Sequence, residues 1–265
     1  MDEILQKLFF TIATVTLFLP GYLPPSALAD TDSIQDSQII ISTRLKDVSE
    51  SDIARVRKEA AKGLESIPPV LGFEYKKKIK IEIVADGICR TTPDGHLILL
   101  PIWHIQNRRA AIIHEVSHAI VRRHEDNSFF SEGLAEFFQA EFGEDIAGAA
   151  YHEEPQYLSL DDLVIKHRDN LISLSSLKNN NDFFMPIDPG KRKLPYIEAG
   201  SFITFLYEVH GGQKLQGLYN TLTLNYEKIY GKKFTELEAE WLKYVLSHDR
   251  QPQQQKPLGA YGRAE

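Results

Sequence analysis

The chain has 265 residues, of which 43% are hydrophobic and 25% charged, and carries a net charge of −7. That is apolar material for one large domain or two closely packed subdomains, and the acidic balance argues against a nucleic-acid partner, which needs clustered Lys/Arg. The single cysteine, Cys89, excludes an internal disulfide and a cysteine-rich metal site.

Residues 1–29 read as an export signal: Lys7, an apolar run from Leu8 to Leu19, then Pro20-Gly21 and the small-x-small pattern Ala27-Leu28-Ala29. The expectation is an exported protein, periplasmic or secreted, with no stable membrane span once the signal is removed. An uncleaved N-terminal anchor is the alternative. The expected folded part is 30–250, in subdomains of about 38–125 and 126–248, before a Gln/Pro/Gly-rich tail over 251–265 that reads as disordered.

After a polar lead-in, residues 38–43 (Gln38-Ile39-Ile40-Ile41-Ser42-Thr43) predict a first strand. Ser49 and Asp52 stand at capping-box spacing before Ile53, Val56, Ala60, Leu64 and Ile67, so a helix is expected until Pro68-Pro69 stops it. Lys76-Lys77-Lys78 reads as a solvated turn, and residues 78–84 alternate like a half-buried strand. His96 to Pro101 predicts a short strand at a sheet edge, where a proline is tolerated. Asn107 is the expected N-cap of the next helix.

That helix carries His114-Glu115-Val116-Ser117-His118, an HExxH. Positions i and i+4 lie one turn apart on one helix face, so both imidazoles can reach one Zn²⁺ while Glu115 projects beside it as a base. With nine histidines in the chain, chance supplies about 0.02 such motifs per sequence of this composition. Ser131 to about Phe142 predicts a further helix, residues 145–190 mix short apolar pieces with polar loops, and helices follow over 197–207, 215–222 and 234–246.

Two residues compete as third metal ligand. His124 follows His118 by six positions, the spacing of an HExxHxxGxxH, with Met185 available as the methionine of such a site. The glycine of that pattern is Val121 here, a β-branched residue that predicts continuation of the helix and turns His124 about 120° away. Ser131-Glu132-Gly133-Leu134-Ala135-Glu136 instead offers two carboxylates at i and i+4, one able to ligate and one able to hydrogen-bond a ligand imidazole.

Together, HExxH and Glu132-Gly133-Leu134-Ala135-Glu136 resemble the gluzincins, the thermolysin and aminopeptidase branch of the zinc metallopeptidases. The resemblance spans about residues 38–248 and is strongest over 114–136. It implies that Glu132 is the third ligand beside His114 and His118, and that Glu136 orients His114. Leu194-Pro195-Tyr196-Ile197-Glu198-Ala199-Gly200 is similar to the Pro-Tyr-x-x-Gly segment of the aminopeptidases, with one residue more before the glycine, which gives Tyr196 the role of oxyanion donor.

It further implies an α+β, zincin-like fold: a small mixed sheet with an antiparallel edge strand over the HExxH helix, then a mainly helical C-terminal subdomain. In such proteins the edge strand holds the substrate backbone by strand addition, a part expected of residues 96–100. Two departures stand out: only 13 residues separate His118 from Glu132, and no Gly-x-Met-Glu-Asn segment is present to grip a free amino terminus. The expected activity is hydrolysis of peptide or protein substrates, with Glu115 and Tyr196 catalytic and Zn²⁺ as cofactor. The alternative is a zincin-fold envelope binding or assembly protein with little turnover. His104, His152, His167, His210 and His248 lack ligand spacing.

Overall fold

In the computed structural model, the described residues are 38–121, 127–145, 147–148, 150, 154, 158–184, 192–221 and 223–248. The expected signal, His124, His152, Met185 and the tail lie outside them.

Isoleucine at every second position builds the sheet. Ile79, Ile81 and Ile83 of β2 (Ile79–Val84) are buried while Lys80 between them is exposed, the period-2 pattern of a strand with one covered face. β1 (Ile39–Thr43) and β4 (Leu97–Pro101) pair parallel with β2 on either side, and the two-residue β3 (Arg90–Thr91) runs antiparallel on β4. The order is β1-β2-β4-β3. The expected edge strand, 96–101, is therefore an inner strand. Pro101 fits because it ends β4, and the antiparallel edge belongs to Arg90–Thr91.

Helix α1 (Glu50–Leu71) starts on the expected capping box, with reciprocal bonds of 3.1 Å between Ser49 and Asp52. It does not stop at Pro68. Both prolines lie in its last turn, where each costs one backbone hydrogen bond, and Gly72 closes the helix by donating to Pro68 O. Short α2 (Ile102–Gln106) follows β4, and Asn107 ends it rather than starting the next helix. The HExxH helix is α3 (Ile112–Ile120). Helices α1 and α3 pack against each other and on the sheet.

Val121 does end α3, contrary to the expected continuation. It leaves in the extended region at φ −80° and ψ 132°, a conformation natural to a β-branched residue, so no left-handed glycine is needed. Helix α4 (Ser128–Phe142) begins three residues earlier than expected because Asn127 caps it, its side chain accepting from Phe130 N at 3.0 Å. The remainder is mostly helical: α5 (Leu160–Lys166), a 3-10 turn at Arg168–Asn170, α6 (Leu174–Leu177), α7 (Asn180–Phe184), α8 (Leu194–His210), α9 (Gly212–Tyr219), α10 (Tyr226–Tyr230) and α11 (Phe234–His248). The buried apolar side chains of the sheet and of these helices form one continuous cluster.

Helices α4 and α8 approach closely because of Gly133. A methyl there would stand 2.8 Å from Ala199 O and 2.9 Å from Ile203 Cγ1. Gly133→Ala is expected to cost about 1–3 kcal/mol by overpacking and to lower the thermal midpoint correspondingly; an unchanged midpoint would refute the tight crossing.

Glu59, buried on α1, accepts from Glu144 N at 2.9 Å. Burial, with the charges of Glu144 and Asp145, outweighs that bond and the charge of Lys62 and lifts its carboxyl to about 7. The folded chain thus holds this proton more tightly than the unfolded one. Glu59 supports folding fully below its ordinary value of about 4.5, and that support drains away as pH rises through about 7. Glu59→Gln is expected to raise stability at pH 8 by about 2 kcal/mol while changing it little at pH 4, read from denaturant melts at the two pH values.

Candidate metal centre

One face of α4 meets one face of α3. Glu132, Glu136 and Gln139 stand at i, i+4 and i+7, so they line the same side of α4. Each addresses the HExxH helix. Glu132 Oε2 lies 3.3 Å from His114 Nε2 and 3.2 Å from His118 Nε2, and the two imidazole nitrogens are 3.1 Å apart. These three side chains form the one group among the described residues able to hold a metal ion.

The triangle has the right size. A tetrahedral ion with bonds of about 2.0–2.1 Å sets its ligand atoms about 3.3–3.4 Å apart, close to all three observed edges. Three ligands from the chain leave one coordination position for a small molecule. The charge also fits: Glu115, Glu132 and Glu136 bring three carboxylates to two imidazoles.

The electrostatics of the site carry the same demand for positive charge. Burial alone would lower the His114 imidazole, yet its bond to Glu132 and the charges of Glu136, Glu115 and Glu132 lift it to about 9. The Glu132 carboxyl, which burial would raise, is held far below the usual carboxylate range by the His118 and His114 rings. Metal binding displaces such protons.

Glu136 is fully buried, and its Oε1 lies 3.4 Å from His114 Nδ1 and 3.4 Å from Ala150 N. Gly148 walls it in: at φ +125° it is a backbone for glycine, and an added Cβ would sit 2.8 Å from Glu136 Oε2. Glu136 therefore stands behind His114, on the side away from Glu132.

Glu115 is buried beside the triad. Thr91, on the edge strand β3, places its hydroxyl 2.9 Å from Glu115 Oε2 and 2.8 Å from the Glu115 carbonyl oxygen. Tyr196 lies in the first turn of α8, which starts at Leu194 rather than at 197 because Pro195 suits a helix N-terminus. Its ring packs edge-on to Phe183 at 5.0 Å. Burial first, then the negative charge of Glu132, Glu136 and Glu115, pushes its phenol well above the ordinary value, so it stays a protonated donor.

Thr91 and Gln139 are site residues that the sequence reading missed. Helix α3 has no side-chain cap of its own at Ala111. Gln139 caps it from α4, accepting from His114 N at 3.1 Å while donating to Asp145 O at 2.7 Å. Its one visible signal is a lone amide after Phe137-Phe138, on the face already marked by Glu132 and Glu136. Thr91 has no local signal, because only sheet pairing brings it to Glu115. Cys89 is not among the grouped ligand side chains, and burial, then nearby Glu115, pushes its thiol up to about 12. His167 is occupied at 2.9 Å by Glu154 and His248 at 2.9 Å by Tyr244 O.

No protein-family model, curated protein or solved structure matches the chain.

Gln139→Ala is expected to leave His114 N–H and Asp145 C=O buried without their partner, at about 1–3 kcal/mol. Chemical denaturation measures the loss. An effect below about 0.5 kcal/mol, the size of an ordinary surface change, would refute the cap.

Proposed function

We propose that the chain is a zinc-dependent peptidase of gluzincin type, hydrolysing peptide bonds in an exported setting. The observation that carries this reading is the triangle of His114 Nε2, His118 Nε2 and Glu132 Oε2, with edges of 3.1–3.3 Å, beside a buried carboxylate that is not one of its corners. Two imidazoles and one carboxylate in tetrahedral spacing suit Zn²⁺ among the common divalent ions. When bound, Zn²⁺ supplies Lewis acidity, lowering the pKa of water and polarising a carbonyl.

The residues divide the remaining work. Glu115 takes the proton of the attacking water and passes it to the leaving amine, so that one carboxylate serves as base and then as acid. Tyr196 donates its phenolic proton in a hydrogen bond to the carbonyl oxygen as negative charge develops there, a task for a donor that stays neutral at working pH. Glu136, behind His114, favours the tautomer in which Nδ1 carries the proton and Nε2 presents its lone pair. The edge strand β3, beside Glu115, is the natural place for a peptide backbone to add as a further strand.

Purified protein is expected to bind close to one equivalent of zinc and to cleave members of a broad peptide library in a chelator-sensitive way. Glu115→Gln should keep the metal and abolish cleavage. Tyr196→Phe should lower kcat by about 10²–10³, the usual loss for one oxyanion donor. Metal binding with no cleavage of any peptide would instead favour a binding or assembly protein.

A further inference from the structure

Thr91 stands where the sheet edge meets the carboxylate of Glu115. Thr92 N donates to Leu97 O at 2.8 Å, so in this antiparallel pair residue 92 turns its N–H towards β4. Its neighbour Thr91, in register with Ile98, then turns its own N–H and C=O the other way, towards the open edge. On that side β3 has no strand partner among the described residues. The side chain of the same residue lies within 2.9 Å of Glu115 Oε2.

We propose that Thr91 is a positioning residue that couples peptide docking to the orientation of Glu115. The inference rests on the peptidase reading of the site. Thr91's main chain is the one β3 ladder position offered to an incoming strand. Its hydroxyl, shared between Oε2 at 2.9 Å and the Glu115 carbonyl oxygen at 2.8 Å, clamps the carboxylate to its own main chain and leaves Oε1 as the oxygen that receives a proton from water. A β-branched side chain suits this task, since its χ1 is restricted by the strand backbone. Docking of a peptide along β3 therefore stiffens the residue that aims the base. Valine at this position keeps the shape and the main-chain groups but loses the hydroxyl, whereas serine keeps the hydroxyl.

The test compares Thr91→Val and Thr91→Ser with the wild type in metal content, KM and kcat, together with crystal structures of the wild type and the valine variant. Thr91→Val is expected to retain one equivalent of zinc and a KM close to wild type while kcat falls on the order of tenfold, as for loss of one hydrogen bond to a charged group. Thr91→Ser should restore most of that loss. A valine variant with wild-type kcat overturns the proposal, as does one in which KM alone changes. Should the wild type bind zinc yet cleave no peptide, the peptidase reading fails, and the crystal structures decide the positioning role on their own. A Glu115 carboxylate displaced in the valine variant supports it, and one left in place overturns it.

Discussion

His114 is gripped from three directions by one face of α4, and the site depends on that grip. Glu132 meets its Nε2, Glu136 stands behind its Nδ1, and Gln139 accepts from its main-chain N–H. Side chains at i, i+4 and i+7 can do this only if the two helices run close together along their length. Small residues and a cap hold α4 in place: Gly133 lets α8 seat closely against α4, and Asn127 starts α4 soon enough to bring Glu132 into its first turns. Thirteen residues between His118 and Glu132 suffice because α3 ends at once, with Val121 extended.

Electrostatics set the cost of this arrangement. Three carboxylates share a buried space with two imidazoles, and like charges in such a place repel strongly. A proton on His114 relieves part of the repulsion, and a divalent cation relieves more. The neighbouring groups are kept neutral by burial first and by the same field second: both favour the protonated Tyr196 phenol and Cys89 thiol. A buried, negative region therefore attracts a cation and favours the protonated forms of a phenol and a thiol.

The parts of this picture legible in the sequence are those that repeat at helical or strand spacing. His114 with His118, Glu132 with Glu136, the Ser49–Asp52 box and the alternation of β2 all follow from local geometry, and the structure brings His114, His118, Glu132 and Glu136 together. Interactions made between elements were not legible. Nothing near Thr91 announces Glu115, and Pro101 suggests an edge that β3 supplies instead, because strand order is decided by pairing across 17 to 40 residues. Several helix boundaries differ because of residue type. Pro68-Pro69 suggest a stop and Val121 a continuation, whereas a proline is cheap in the final turn or at the start of a helix and a valine leaves one easily for the extended region.

The amide of Gln139 gives the molecule a separation of duties. It ties the start of α3 to the end of α4 through neutral hydrogen bonds, at an anchor distinct from the three metal-facing atoms. The scaffold's cohesion thus rests in part on contacts other than those that hold an ion. Changes to the corner atoms alter the affinity for a cation without unfastening the helices, while changes at Gln139 loosen the frame even when all three corners are intact.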